Sequence, residues 1–260
     1  METLRDMDVV RAVSTTVRAV RSDDAAMPAM EVRFSPFGEW YEIDSMFEGR
    51  FLERTVLGAF AKTISENLRN IKVLFQHGYD PTVGDKVLGP IRSLVEEKDS
   101  PVGDVDLLDT SYNRDLVPGL EAEVYGSSFR FRVVKDEWDD EPGRSDHNPD
   151  GIPERTIKEV RLFEFGPVTF PANPAATAGV RSVTDYYYER LRSRDPQRVA
   201  DLEARAIKLR TPTPQPAAEG TGEDAGAAPI TDEPASRHSA GNRARQMRER
   251  MHPYLKETHA

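Results

Sequence analysis

From residue 126 to residue 133 the chain reads Gly-Ser-Ser-Phe-Arg-Phe-Arg-Val. Phe129, Phe131 and Val133 alternate with Arg130 and Arg132, the period-2 pattern of a β-strand with one buried face. Ser128 falls on the arginine side and Ser127 on the phenylalanine side. The same alternation at Met30, Val32 and Phe34 predicts an earlier strand, and Trp40 to Met46 a second. Leu57, Phe60, Ile64 and Leu68 share one face of a helix over 57–69. Ile71 to Gln76 is a short apolar strand that ends at His77, and a run dense in turn formers follows. Val87–Val95 and Val105–Leu108 predict further strands. A short helix, interrupted near Pro118 and Gly119, is expected within 111–124. An acidic loop is expected over 136–153 and a strand from Thr156 to Phe170.

At the two ends the pattern changes. Leu4, Met7, Val10, Val13, Val17 and Val20 recur at helical spacing, so residues 1–28 read as a leader that is helical when docked. Residues 183–210 read as a basic amphipathic helix with Pro196 as a dividing point. Residues 211–236 hold five prolines, three glycines and six alanines, with five acids and no lysine or arginine, which is the composition of a disordered linker. Residues 237–260 form a basic tail. Many short strands and few long helices before residue 180 place the chain in a mainly β (α+β) class: a β-barrel or strongly bent sheet over 29–182 with flanking helices.

Composition narrows the functions. Among 260 residues there is no cysteine, which removes disulfides, thiolate metal sites and cysteine nucleophiles. The formal charge is −10, unfavourable for sequence-independent binding of nucleic acid. The stretch from 211 carries six basic and seven acidic residues, so the acidity belongs to residues 1–210. No apolar run reaches the length of a membrane span, and the charged N-terminus leads into no signal-like segment, so no membrane partner and a cytoplasmic location are expected. The acidic loop lacks the carboxylate spacing of a calcium site, and no metal or other cofactor is expected.

A serine facing away from the core is as a rule a solvated surface residue. It is also where a rigid nucleophile can stand, provided a base and a group to orient that base are near. Of five histidines, His238, His252 and His259 lie in the tail and His147 in the acidic loop, whereas His77 ends a core strand. Carboxylates are abundant. Glu164 stands out because it interrupts the apolar strand Leu162–Val168, on the side opposite Phe163, Phe165 and Pro167.

Several blocks in order carry a resemblance. They are Phe47-Glu48-Gly49-Arg50-Phe51-Leu52, Val73-Leu74-Phe75-Gln76-His77-Gly78, Leu108-Asp109-Thr110-Ser111-Tyr112, Gly126-Ser127-Ser128-Phe129-Arg130-Phe131 and Glu164-Phe165-Gly166-Pro167-Val168-Thr169-Phe170-Pro171. Over about residues 30–180 the chain resembles the prohead (capsid maturation) serine proteases of tailed bacteriophages, of the Hong Kong type, which share a fold with herpesvirus assemblin. The resemblance implies an assemblin-like β-barrel, Ser128 as nucleophile, His77 as base and Glu164 as third member; Arg130, which shares the strand face of Ser128, is a candidate oxyanion donor. It departs in two places: Ser127 stands where many relatives have a small apolar residue, and Gly166 where many have serine.

The resemblance also implies a serine endopeptidase whose substrates are scaffolding protein, or the scaffold segment of the major capsid protein, and the protease itself. Such an enzyme is packaged inside the procapsid in the host cytoplasm, and self-cleavage admits a dimer. The alternative from another class is a non-catalytic scaffolding or assembly protein with the same fold. A hydrolase with a nucleophile elbow fits less well, since Gly-x-Ser-x-Gly is absent around Ser128.

Overall fold

The structure, a computed structural model, describes residues 7–21, 25–171 and 180–210. The linker (211–236), the basic tail (237–260) with its three histidines, and residues 1–6 of the leader lie outside them.

In chain order the strands are β1 (Val9–Val13), β2 (Val17–Val20), β3 (Ala29–Arg33), β4 (Tyr41–Ser45), β5 (Gly49–Thr55), β6 (Lys72–Val73), β7 (Ile91–Glu96), β8 (Pro101–Asp106), β9 (Gly126–Asp139), β10 (Glu154–Val168) and β11 (Val180–Ser182). Helix α1 (Ala61–Asn67) lies between β5 and β6, and α2 (Ser111–Glu121) between β8 and β9. The helices α3 (Thr184–Arg192) and α4 (Pro196–Arg210) follow β11. One sheet runs β11-β1-β9-β10-β5-β4, with β6 also paired to β10, and a second runs β2-β3-β8-β7. The spine of the first is the antiparallel pair β9 and β10. β10 changes its parallel partner along its length, from β5 at Glu154–Ile157 to β6 at Glu164–Phe165.

The core lies where the inner faces of the two sheets meet. Phe34, just past β3, stacks on Phe165 of β10 at 4.9 Å and meets Phe129 of β9 at 5.3 Å and Phe60 at 5.6 Å. Each such ring taken from water contributes about 1.5–3 kcal/mol. Gly103 on β8 makes the approach possible, since a Cβ there would stand 2.6 Å from the Phe165 ring. The apolar positions of the 126–133 alternation, Phe129, Phe131 and Val133, are buried in this core.

The chain is mostly β with flanking helices, but among the described residues neither sheet closes into a barrel. The leader is not helical where it is described: β1 and β2 are strands, and β1 lies inside the first sheet between β11 and β9. All five residues of β1 are buried. A strand covered on both faces loses its alternation, and its valines then match a helical spacing as well as an extended one. Valine's stiffness at χ1 favours the strand once partners are present.

Other boundaries moved for local reasons. Gly89 and Pro90 delay β7 to Ile91. Pro118 sits inside α2 without breaking it, since only the last turn loses a hydrogen bond. β9 runs on to Asp139, and the acidic loop is tethered: His147 stacks on Trp40 at 5.2 Å and bonds Glu154 at 2.9 Å. Residues 184–210 form two helices, broken before Pro196. No helix among the described residues is long and apolar enough to cross a membrane.

Candidate active site

Ser128 is the third residue of β9 and is held from both sides, paired with Ala12 of β1 and Gly166 of β10. A strand with two neighbours cannot rotate, so alternation decides where each side chain goes. Ser127 and Ser128 therefore separate completely. Ser127 Oγ lies 2.7 Å from Thr15 Oγ1. Ser128 Oγ lies 2.7 Å from His77 Nε2 and 2.8 Å from the carbonyl oxygen of Arg11.

His77 stands in a tight turn rather than at a strand end. β6 stops at Val73, and Gln76, His77 and Gly78 follow with φ of 51°, 58° and 76°. For the first two this left-handed backbone costs on the order of 1 kcal/mol each. The turn is held by Gly78 N–H on the Phe75 carbonyl (2.9 Å), Tyr79 N–H on the Gln76 carbonyl (3.0 Å) and the Gln76 amide on Thr169 Oγ1 (2.7 Å). Leu74 N–H donates to the Phe165 carbonyl at 3.2 Å, which anchors the turn to β10. This close approach explains Gly166, where a Cβ would stand 2.0 Å from the Leu74 carbonyl oxygen. A serine there collides with the chain that carries His77.

Glu164 reaches the site through a β-bulge. The β9–β10 register slips between Leu162 and Glu164, so that Leu162 faces Phe131 and Glu164 faces Arg130. Phe163 is the extra residue. It does not share the side of Phe165, as strict alternation predicts, but lies among Arg130, Arg132 and Arg161 with each guanidinium carbon 5.3–5.5 Å from its ring. Glu164 Oε1 is 2.6 Å from His77 Nδ1. Its other oxygen, Oε2, is buried and makes no hydrogen bond among the described residues.

Ser128, His77 and Glu164 thus form a chain of two short contacts, both ring nitrogens of one imidazole being used. Ser128 is 1% exposed, and the side chains of His77 and Glu164 are 8% and 2% exposed. With Nδ1–H donated to Glu164, Nε2 is left to accept the serine hydroxyl proton. Once the imidazole carries two protons, Nε2–H donates to Oγ and the hydroxyl can turn to the Arg11 carbonyl. The arrangement holds the hydroxyl in either protonation state of the ring.

Arg130 is engaged by two carboxylates: its Nη1 donates to Asp8 Oδ2 at 2.9 Å, and its Nε lies 3.6 Å from Glu164 Oε1. Among the described residues the contacts of this guanidinium are to carboxylates and aromatic rings. Two parts of the site had no usable sign in the sequence, Asp8 and the Arg11 carbonyl, because both depend on which strand pairs beside β9. Gly166 had one: a glycine inside a strand marks a close backbone approach.

The family model of the caudovirus prohead serine proteases matches residues 16–188, and the chain belongs to that family. Among solved structures, the capsid assembly protease gp21 of bacteriophage T4 is similar with a TM-score of 0.36 and 12% identity, covering 62% of this chain and 96% of that one. No curated protein matches in sequence.

Proposed function

We propose that this chain is a serine endopeptidase of capsid maturation in which Ser128 attacks, His77 is the base and Glu164 orients the base. The observation that carries this reading is the pair of contacts on one imidazole, 2.7 Å to Ser128 Oγ and 2.6 Å to Glu164 Oε1. His77 Nε2 takes the hydroxyl proton as Oγ adds to the substrate carbonyl. Glu164 fixes the tautomer and stabilises the imidazolium. The proton then passes to the leaving amine, an acyl-enzyme forms on Ser128, and water attacks the acyl carbon with His77 again as base. The strained turn under His77 fits this role, because unfavourable backbone is retained where it places a reacting group.

The substrates in this reading are scaffolding protein, or the scaffold segment of the major capsid protein, and the chain itself, cut inside the procapsid. Ser128 is 1% exposed, so a peptide carbonyl or a small electrophile meets its Oγ through local opening of the isolated chain. Co-expression with the major capsid protein of the same phage, followed by mass spectrometry of that protein, tests the reading. Truncation is expected with the wild-type chain and with Ser127→Ala, and not with Ser128→Ala or His77→Ala. Truncation that persists in both Ser128→Ala and His77→Ala would return the chain to the class of non-catalytic assembly proteins.

A further inference from the structure

Asp8 precedes the family-matched stretch, which begins at residue 16, yet it reaches the site in one step. Its carboxylate is 3% exposed and lies among three arginines: Arg130 Nη1 at 2.9 Å, Arg132 Nε at 2.7 Å and Arg198 Nη2 at 3.5 Å. Its backbone is fixed as well. Asp8 N–H donates to the Tyr188 hydroxyl at 2.9 Å, and that hydroxyl donates to the Asp8 carbonyl at 3.0 Å. Arg130, in the central strand β9, is paired with Val10 of β1 on one side and with Glu164 of β10 on the other. It is therefore placed to bridge the two carboxylates. The rings of Phe163 and Tyr187 stand 5.3 and 5.4 Å from its guanidinium carbon and limit its motion.

Glu164 needs such a neighbour. A buried carboxylate with one hydrogen bond to an imidazole and a second oxygen unpartnered is poorly compensated for desolvation. The cation 3.6 Å from Oε1 offsets that cost without taking the place of His77. Left alone, a guanidinium forms a two-bond fork with a carboxylate. Such a fork would draw Glu164 away from the imidazole. Asp8 prevents it by holding Nη1.

We propose that Asp8 and Arg130 are positioning residues for the Glu164–His77 pair: Arg130 places its cation beside the Glu164 carboxylate, and Asp8 keeps Arg130 from capturing it. The inference rests on the protease reading above. The charged and titratable groups facing Arg130 are Asp8 from the N-terminal segment, Glu164 from β10, Arg132 from β9, Tyr187 from α3, Arg198 from α4 and Tyr79 beyond the His77 turn. Arg130 and Asp8 bring charges of opposite sign to the same place, so removing one or the other changes the local field in opposite senses.

The test is the rate at which a fluorophosphonate probe labels Ser128 in the full-length chain, followed from pH 5 to pH 9. Arg130→Met is expected to slow labelling about tenfold at neutral pH and to move the acidic limb of the profile up by about one unit, since one adjacent charge is lost. Arg130→Lys keeps the charge and should leave the limb near its wild-type place. Asp8→Asn, which keeps the shape and removes the negative charge, should lower the limiting rate and move the limb down. A purely structural pair would slow all three variants without opposite displacements of the limb. Ser128 labelled in every variant with limbs unmoved overturns the inference and leaves the protease reading standing. Where Asp8→Asn does not fold, the contrast between Arg130→Met and Arg130→Lys decides. No labelling of Ser128 in the wild-type chain overturns the protease reading and this inference with it.

Discussion

Two buried polar clusters share Arg11. One is the Ser128–His77–Glu164 chain, which Arg11 touches with its backbone carbonyl. The other is built on its side chain. Arg11, wholly buried, forks onto Glu48 through Nη1 and Nη2 at 2.9 and 2.7 Å and onto Glu53 through Nε and Nη2 at 2.8 and 3.0 Å. Its Nη1 also bonds Ser182, Thr184 and the Val10 carbonyl. Glu53 is further held by the Tyr41 hydroxyl and by Arg155, which in turn holds Asp136. The carboxylate oxygens of Glu48 and Glu53 all have partners, most of them more than one. In the Ser128–His77–Glu164 chain the contacts run in series, one oxygen of Glu164 has no hydrogen bond among the described residues, and the backbone beneath His77 is strained. Redundancy marks the cluster that holds the sheet together. Its absence sets the Ser128–His77–Glu164 chain apart from that cluster.

The comparison can be broken at either end, and the largest effect is expected at the serine. Ser128→Ala or His77→Ala should lower turnover roughly a million-fold, and Glu164→Ala somewhat less. The urea midpoint should move little for Ser128→Ala, as read by circular dichroism. A large loss of stability in that variant would place Ser128 in the structural class instead.

Next is Arg11→Met. It leaves Glu48 and Glu53 buried without their main cation, and breaking such a pair costs about 3–5 kcal/mol in denaturant unfolding. The pH dependence sharpens this. Burial pushes the Glu48 carboxyl up, but the charge and hydrogen bonds of Arg11 more than offset it, so the group sits below the usual carboxylate range. A depressed carboxyl contributes stability that is present above its unfolded value and lost as pH falls through the folded one. In Arg11→Met that contribution is gone and burial acts on Glu48 without Arg11, so the loss of stability relative to wild type should be largest at neutral pH and shrink as pH falls.

Gly166→Ala comes third. A methyl group 2.0 Å from the Leu74 carbonyl oxygen must displace the chain that carries His77. A displacement near 1 Å costs on the order of a hundredfold in turnover. Wild-type activity in this variant would show that the His77 turn is not held through Gly166. The smallest effect is expected for Ser127→Ala, which removes one partly buried hydrogen bond to Thr15 and should cost about 1 kcal/mol of stability with turnover kept.

Much of this contrast was legible in the sequence, for physical reasons that differ from part to part. Alternation around Ser128 assigned each of two adjacent serines to a side, because a strand fixed on both edges leaves no freedom. His77 and Glu164 stood out by exclusion and by a charge in an apolar run. The bulge that seats Glu164 was hidden, since one extra residue in a strand leaves no compositional trace and Phe163 looks apolar on either face. The leader's valines match a helical spacing because β1 is covered on both faces. That spacing hid the two contributions that come from β1 and the residues beside it, the Arg11 carbonyl and Asp8. Those depend on long-range pairing, which no local pattern encodes. The barrel failed for the same reason: strand count says nothing about whether edges meet.

The central claim is that Ser128, and not its neighbour, is the nucleophile activated by His77. Peptide mapping of the full-length chain after reaction with a fluorophosphonate probe tests it most directly. A single adduct on Ser128 is expected, present in Ser127→Ala and absent in Ser128→Ala and His77→Ala. An adduct on Ser127, or undiminished labelling in His77→Ala, would contradict it.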